Sequence, residues 1–155
     1  MTDILAGSLI QAAAFPATVQ AFDDTAQLNL SGTSFGNGTV VVSVTFVAPS
    51  SGRVLIYLGG SARSSVSVGG DYVIMGLDLR VGSSGGAVVE SPAAQGLYTC
   101  RWPTAAVNFT TRQRVAPKSG LTPGQVYYAG HQFCVGEGEG TADITSRHLI
   151  VRPLP

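Results

Sequence analysis

Apolar and polar residues alternate along most of this chain with the two-residue period of β-strands. In the segment 39–47, TVVVSVTFV, one side is formed by Val40, Val42, Val44 and Phe46, and the other by Val41, Ser43, Thr45 and Val47. The β-branched residues that fill this run suit a pleated surface. A second run, 53–58, follows after five residues. The pattern predicts a strand in each run.

A short link, APSSG, joins these two strands and contains Pro49 and Gly52. Its length and its Pro, Ser and Gly content are typical of a hairpin loop. The two runs are therefore predicted to pair as a β-hairpin at the centre of the fold.

The second strand of this pair is apolar on both faces. Val54, Ile56 and Leu58 share one face, and Leu55 and Tyr57 share the other. A strand of this kind needs cover on both sides, either from its own domain or from a neighbouring subunit. Leu55 and Tyr57 are the candidates for a subunit interface.

The rest of the chain repeats the alternation between glycine-, serine- and proline-rich turns. Further strands are predicted at 27–30, 71–81, 87–90, 97–102, 107–115, 125–135 and 141–151. The segment GEGEG, 136–140, is predicted to close a hairpin between the last two. Eight to ten strands at spacings of about 10–15 residues, with no long helix, predict an all-β protein. The expected fold is an antiparallel β-sandwich of jelly-roll type.

Residues 1–26 lack this strand period, and Pro16 interrupts their apolar stretch. One interpretation is a strand or arm that packs on its own domain. The other is an N-terminal arm that attaches the protein to a neighbouring protein. The division expected is an arm at 1–26 and a sandwich at 27–155. The candidates for attachment are Ile4, Leu5, Leu9, Ile10 and Phe15.

Charge is scarce in this chain of 155 residues. Charged residues make up 12%, the net charge is zero, and Lys118 is the only lysine. A neutral chain has no electrostatic footprint for nucleic acid or for an anionic membrane, so neither is expected as a partner. Because so few charges would protect a monomer poorly against association, we expect other protein chains to cover much of the surface.

The N-terminal sequence does not read as a signal peptide, because Asp3 comes early and no basic residues precede the apolar part. No run approaches the roughly 20 apolar residues of a membrane span. We therefore expect synthesis in the cytoplasm without export by the Sec route.

The sequence offers no convergent catalytic groups. The carboxylates fall mainly at predicted turns, no serine occupies a nucleophile elbow, and no glycine motif opens a helix. His131 and His148 lie on neighbouring predicted strands, where they could face each other, but at no ligand spacing with Cys100 or Cys134. The two cysteines are either buried reduced thiols or a disulfide formed outside the cell. We expect no enzyme, no catalytic or metal-binding residues and no cofactor.

Four segments together resemble small structural proteins of tailed bacteriophages that infect actinobacteria: AGSLIQAAAFP, VTFVAPSSGRVLIYLGG, GLTPGQVYYAGHQF and TADITSRHLIVRPLP. The resemblance implies a minor tail, fibre or head-decoration protein. The sandwich also resembles the trimeric jelly rolls of the tumour-necrosis-factor and complement-head class. That likeness implies a homotrimer with Leu55 and Tyr57 at its three-fold contact, and virion attachment by the N-terminal residues.

The expected function is therefore a virion structural protein on the particle exterior, as a capsid decoration or a minor tail protein. Its partners would be its own copies and other virion proteins, such as the major capsid or tail proteins. The alternative is a receptor-binding module for glycan on the host cell surface. The aromatic candidates for that role are Tyr98, Trp102, Tyr127 and Tyr128. Exposed aromatic residues beside Asn or Asp in one loop cluster would favour the alternative, and aromatic residues packed between the sheets would rule it out.

Overall fold

A computed structural model describes residues 16–65, 72–102, 108–136 and 141–155. These residues form ten strands and contain no helix, so none could cross a membrane as a helix. The strands are β1 (Val19–Asp23), β2 (Gln27–Leu30), β3 (Val42–Val47), β4 (Val54–Ser64), β5 (Val73–Val81), β6 (Val88–Glu90), β7 (Thr99–Arg101), β8 (Thr110–Lys118), β9 (Val126–Val135) and β10 (Ala142–Pro153).

The strands form two antiparallel sheets. Sheet A has the order β1-β10-β4-β8, with β2 also paired to β10, and sheet B has the order β3-β9-β5-β6, with β7 also paired to β5. The pairs are nested in sequence, because β1 pairs with β10, β3 with β9, β4 with β8, and β5 with β6 and β7. This is a long folded hairpin rolled into a sandwich, the topology of a jelly roll. The predicted fold class is confirmed.

The predicted central hairpin is wrong, because β3 lies in sheet B and β4 lies in sheet A. Their link crosses from one sheet to the other and pairs with the link between β8 and β9. The backbone N–H of Ala48 donates to the carbonyl of Gln125 at 2.9 Å, and that of Leu121 donates to the carbonyl of Gly52 at 3.1 Å. The hydrogen-bonded ladder therefore continues around the corner of the sandwich.

The predicted hairpin between β9 and β10 is wrong for the same reason, since these strands also lie in different sheets. Residues 137–140, which belong to their link, are outside the described residues.

The core lies between the two sheets and follows from the alternation in the sequence. In β4 the side chains of Val54, Ile56 and Leu58 point inward and are buried. Opposite them, Leu77 and Leu79 of β5 are fully buried. Phe46 stacks on Tyr127, with 5.7 Å between ring centroids. Burial of each large aliphatic side chain stabilises the fold by roughly 1.5–3 kcal/mol.

The sandwich begins before residue 27. Strand β1 lies within the predicted arm, yet all of it pairs with β10, from Val19 opposite Val151 to Asp23 opposite Arg147. For Val19–Asp23 the structure therefore shows a strand packed on its own domain, one of the two interpretations left open by the sequence. Residues 1–15, which contain all the attachment candidates, lie outside the described residues.

Candidate functional site

The outward side of sheet A carries a continuous apolar surface. Leu55 and Tyr57, the predicted interface residues, alternate with the buried residues of β4 and are half-buried on this side. Tyr57 pairs with Ile150 of β10 and with Val115 of β8, so the three side chains form one row across the sheet. We call the set Phe22, Leu55, Tyr57, Val115 and Ile150 the apolar face.

Two members of the apolar face are strongly exposed. Phe22 retains 62% of its accessible surface and Val115 retains 46%. Phe22 pairs with His148, and together with Gln20, Ala21 and Ile150 these two residues line a groove of about 420 Å³. The exposed Arg152 flanks the face opposite Leu55, and none of the four charge pairs of the described residues lies across the face.

Phe22 is not identified from the sequence, because residues 1–26 are assigned as a whole to an arm. The alternation in VQAFD, 19–23, is a weak but readable strand signal. It places Phe22 on the side opposite Val19 and Ala21, which pack against the core.

Three of the four aromatic candidates for glycan recognition lie in the core. Tyr98 is 9%, Trp102 1% and Tyr127 4% exposed. Trp102 donates from Nε1 to the carbonyl of Thr110 at 2.7 Å, and Tyr98 donates its hydroxyl to the carbonyl of Pro117 at 2.8 Å. Burial raises the pKa of Tyr98 to about 12, with a smaller contribution from the charge of Glu90. These three residues are therefore part of the fold.

Tyr128 differs from the other three, because it is half-buried on the outward side of sheet B. It pairs with Arg80 of β5, and the next outward position of that strand is Asp78. Of the four candidates, Tyr128 alone faces outward beside a carboxylate, although it is half-buried and lies on a strand rather than in a loop cluster.

Four carboxylates of the described residues are in ion pairs with basic side chains. The pairs are Asp23–Arg147, Asp78–Arg80, Glu90–Lys118 and Asp143–Arg63, at 2.7–2.9 Å. No group of three His, Cys, Asp or Glu side chains within the described ranges could hold a metal ion.

Asp143 has the most complete set of partners. It accepts hydrogen bonds from the backbone N–H of Asn29, from the Ser65 hydroxyl and from Nε of Arg63. Burial by itself would raise the pKa of Asp143, but these donors outweigh it and the pKa is lowered. The arrangement fixes strand ends and leaves this carboxylate ionised.

The two histidines do not face each other. His131 lies on β9 and is fully buried, whereas His148 lies on β10 and faces outward from sheet A. Nε2 of His131 is 3.1 Å from Sδ of Met75, and burial, with the charge of Arg147, lowers the pKa of His131 to about 3. His131 is therefore neutral at physiological pH.

Cys100 and Cys134 are free and buried. Cys100 pairs with Met75 and Cys134 with Ile74, on opposite sides of β5 and on opposite faces of sheet B. Their strands are separated by two strand spacings, about 10 Å, whereas a disulfide requires Cα atoms within about 7 Å. The reduced-thiol interpretation is the one that the structure shows.

Comparison with solved structures finds proteins of low sequence identity to this chain. VP2 of infectious bursal disease virus, in a subviral particle, matches with a TM-score of 0.49 and 12% identity. The match covers 99% of this chain and 36% of the VP2 chain. The CBM36-1 domain of a multidomain xylanase from the hindgut metagenome of Trinervitermes trinervoides matches with a TM-score of 0.40 and 13% identity. The match covers 90% of this chain and 99% of that domain. A carbohydrate-binding module of Cellvibrio mixtus lichenase 5A, solved with cellotriose, matches with a TM-score of 0.29 and 16% identity. The match covers 91% of this chain and 99% of that module.

This chain thus spans about a third of the VP2 chain. No protein-family model and no curated protein matches the sequence. The bacteriophage assignment and the likeness to tumour-necrosis-factor trimers stay predictions.

Proposed function

We propose that this chain is a non-catalytic structural protein on the exterior of a bacteriophage virion, as a capsid decoration or a minor tail protein. In this proposal it assembles with its own copies through the apolar face. The observation that carries the proposal is the row formed by Tyr57, Ile150 and Val115 on the outward side of sheet A. A sheet side of this kind is covered in an assembled protein and poorly protected in a monomer.

A second copy of the chain is the occupant that suits this surface. The five side chains of the apolar face are uncharged, the exposed Arg152 lies opposite Leu55 at its margin, and the whole chain has a net charge of zero, so the approach of copies is opposed only by this marginal arginine. Residues beside a rotation axis contact the same residues of the neighbouring copies. A row centred on Tyr57 would therefore bring apolar side chains from every copy together at the axis. We propose a homotrimer with Leu55 and Tyr57 at the three-fold contact.

Attachment to other virion proteins, such as the major capsid or tail proteins, is proposed for the N-terminal residues. Ile4, Leu5, Leu9, Ile10 and Phe15 all precede Pro16, where the described part of the chain begins. A truncation that tests this role must end before β1, because removal of residues 1–26 would also remove the partner of Arg147.

The mass of the protein in solution tests the assembly. We expect the full chain to be a trimer by light scattering, and Tyr57→Glu or Val115→Glu to be monomeric. Val88→Glu is the matched control, because Val88 is an exposed valine, 53% accessible, on sheet B. A full-length chain that stays monomeric at about 100 μM would contradict assembly through this face. The chain without residues 1–15 should still form trimers but should not bind purified virions that lack the protein.

The second candidate function is recognition of glycan on the host cell. It is retained because Tyr128 lies outward beside Asp78, whereas burial of the other three aromatic candidates argues against their part in it.

A further inference from the structure

The outward side of sheet B holds a charge pair with unused donors. Arg80 donates from Nε to both carboxylate oxygens of Asp78, each at 2.9 Å. The Asp78 side chain is only 5% exposed and that of Arg80 is 28% exposed. In the described part of the chain, no hydrogen bond is found for the two terminal nitrogens of Arg80, which leaves them free to donate to a ligand.

Tyr128 lies beside this pair and close to the sheet. It pairs with Arg80, and its ring lies over Gly130, the residue that pairs with Asp78. A Cβ atom at Gly130 would lie 3.0 Å from both Cε1 and Oη of Tyr128. Strand side chains usually stand away from the sheet, so the missing side chain at Gly130 gives the Tyr128 ring room to lie across it. We call Tyr128, Asp78, Arg80 and Gln132 the Tyr128 cluster.

Gln132 completes the cluster on the far side of Asp78. Its Nε2 is 3.5 Å from Oδ2 of Asp78, at the long end for a hydrogen bond. In that orientation its amide oxygen is directed away from the carboxylate and can accept from a ligand. The cluster thus combines donors, an acceptor and an aromatic ring within two neighbouring strands.

We propose that the Tyr128 cluster binds a neutral carbohydrate. The C–H face of a sugar ring would pack on Tyr128, because the negative face of an aromatic ring attracts weakly positive hydrogens. Two adjacent hydroxyl groups would accept from the terminal nitrogens of Arg80, whose fixed fork matches a pair of oxygens. A further hydroxyl would donate to the amide oxygen of Gln132.

The charge of the cluster selects a neutral ligand over an anionic one. Asp78 neutralises Arg80 at 2.9 Å, so a phosphate or carboxylate would meet no net positive field. Nucleic acid, which binds through neutralised phosphates, is disfavoured for the same reason. This inference deepens the second candidate function and does not depend on assembly, because the cluster lies on sheet B and the apolar face on sheet A.

The test uses the full-length protein and an array of neutral oligosaccharides of four to six glucose, galactose, mannose or arabinose units, followed by calorimetric titration of the strongest hit. We expect a dissociation constant below about 1 mM. Tyr128→Ala should weaken binding at least tenfold, whereas Tyr128→Phe, which keeps the ring, should retain most of the binding. Arg80→Lys should also weaken binding, because it removes the guanidinium fork while it keeps the charge. Gly130→Ala should weaken it without removing a ligand-contacting group, because the new Cβ displaces the ring.

Tyr72→Ala is the matched control, since Tyr72 is half-buried near the other end of sheet B, where it stacks with Arg101. It should bind as the unmodified protein does. Trp102 fluorescence checks that each variant is folded. Absence of binding to every oligosaccharide, equal binding by Tyr128→Ala, or tighter binding of single-stranded DNA or acidic oligosaccharides would overturn the inference. A monomeric protein that binds glycan would contradict only the assembly proposal. A trimer that binds none would contradict both this inference and glycan recognition, whereas glycan binding that Tyr128→Ala leaves unchanged would contradict this inference alone.

Discussion

Arg147 and Asp23 form an ion pair of 2.7 Å between residues 124 positions apart. The Arg147 side chain is fully buried and that of Asp23 is 8% exposed. Arg147 also donates to the backbone carbonyls of Asn37 and Val40. One arginine thus joins the first strand, the last strand and the connection that leads into β3.

Replacement of Arg147 should therefore be among the most damaging single changes. We expect Arg147→Met to lower the free energy of unfolding by about 3–5 kcal/mol, because Asp23 would keep a buried charge without its partner. Urea denaturation followed by Trp102 fluorescence measures this, at one protein concentration for all variants. Arg53→Met, at an exposed arginine, should change stability by no more than about 0.5 kcal/mol.

The double variant Arg147→Met with Asp23→Leu separates the lost pair from the unpaired charge. It should regain part of the stability, because neither charge remains buried. If Arg147→Met were as stable as Arg53→Met, the interior ion pair would not hold β1 in the sheet.

The strands could be predicted from the sequence, but several of their partners could not. Two-residue alternation marks β3, β4, β5, β9 and β10, since the buried side of a strand must be apolar wherever its partner lies. The links at 48–53 and 136–141 are short and glycine-containing, which suits a hairpin and a sheet crossing equally well. The pairing of the link at 48–53 depends on contacts with residues about 70 positions away, such as Gly52 with Leu121, and local pattern carries no such information.

The same limit applies to the candidate sites: local alternation predicts which side of a strand a residue faces, and strand register decides which residues lie together. Leu55 and Tyr57 could be placed on an outward face, because their alternation with Val54, Ile56 and Leu58 fixes their side. The Tyr128 cluster could not be anticipated, because it depends on the register that sets Tyr128 opposite Arg80 and Gly130 opposite Asp78. Arg147 reads in sequence as an ordinary strand charge, and only the fold shows that it is buried.

His131 makes stability depend on pH. Its pKa is lowered to about 3 in the folded protein, chiefly by burial, whereas the unfolded chain has a pKa near 6.5. Between these values the unfolded state binds more protons, so stability falls as pH falls. We expect a loss of about 2 kcal/mol between pH 7.5 and pH 5, measured by urea denaturation at each pH.

The second histidine provides the control for this effect. His131→Leu should remove most of the pH dependence between pH 7.5 and 5, and His148→Gln, on the outward side of sheet A, should retain it. Asp23 and Asp143 act in a lower range, because their pKa values are lowered from 3.8. Stability from these two carboxylates is present above pH 4 and is lost as pH falls through their folded pKa values. A His131→Leu variant with an unchanged slope above pH 5 would refute the assignment.

Cys100 and Cys134 should be reduced and unreactive in the native protein. Burial raises the pKa of both thiols, and a thiol that stays protonated and shielded reacts slowly. Iodoacetamide should add no label in an hour under native conditions and two labels in denaturant, as counted by mass spectrometry. Ser119→Cys, at an exposed position, should take one label natively. A mass two hydrogens lower than expected for free thiols would reveal a disulfide and contradict the register of β5 with β7 and β9.

Gly52 holds the corner where β3 passes to β4. Its φ of 64° lies in the left-handed region, and a Cβ atom there would collide with the carbonyl oxygen of Leu121. That oxygen belongs to the link with which the corner pairs, so the collision cannot be relieved by moving a side chain. We expect Gly52→Ala to lower the free energy of unfolding by at least about 2 kcal/mol, as strain and collision add.

Gly120→Ala separates the two contributions to this loss. Gly120 has a similar φ of 77°, with no atom within 4 Å of an added Cβ, so only backbone strain of about 1 kcal/mol is expected. Gly32→Ala, with neither a positive φ nor a close atom, should be neutral within about 0.5 kcal/mol. Equal losses for Gly52→Ala and Gly120→Ala, in the same urea titration, would mean that the two links are not held against each other at the corner.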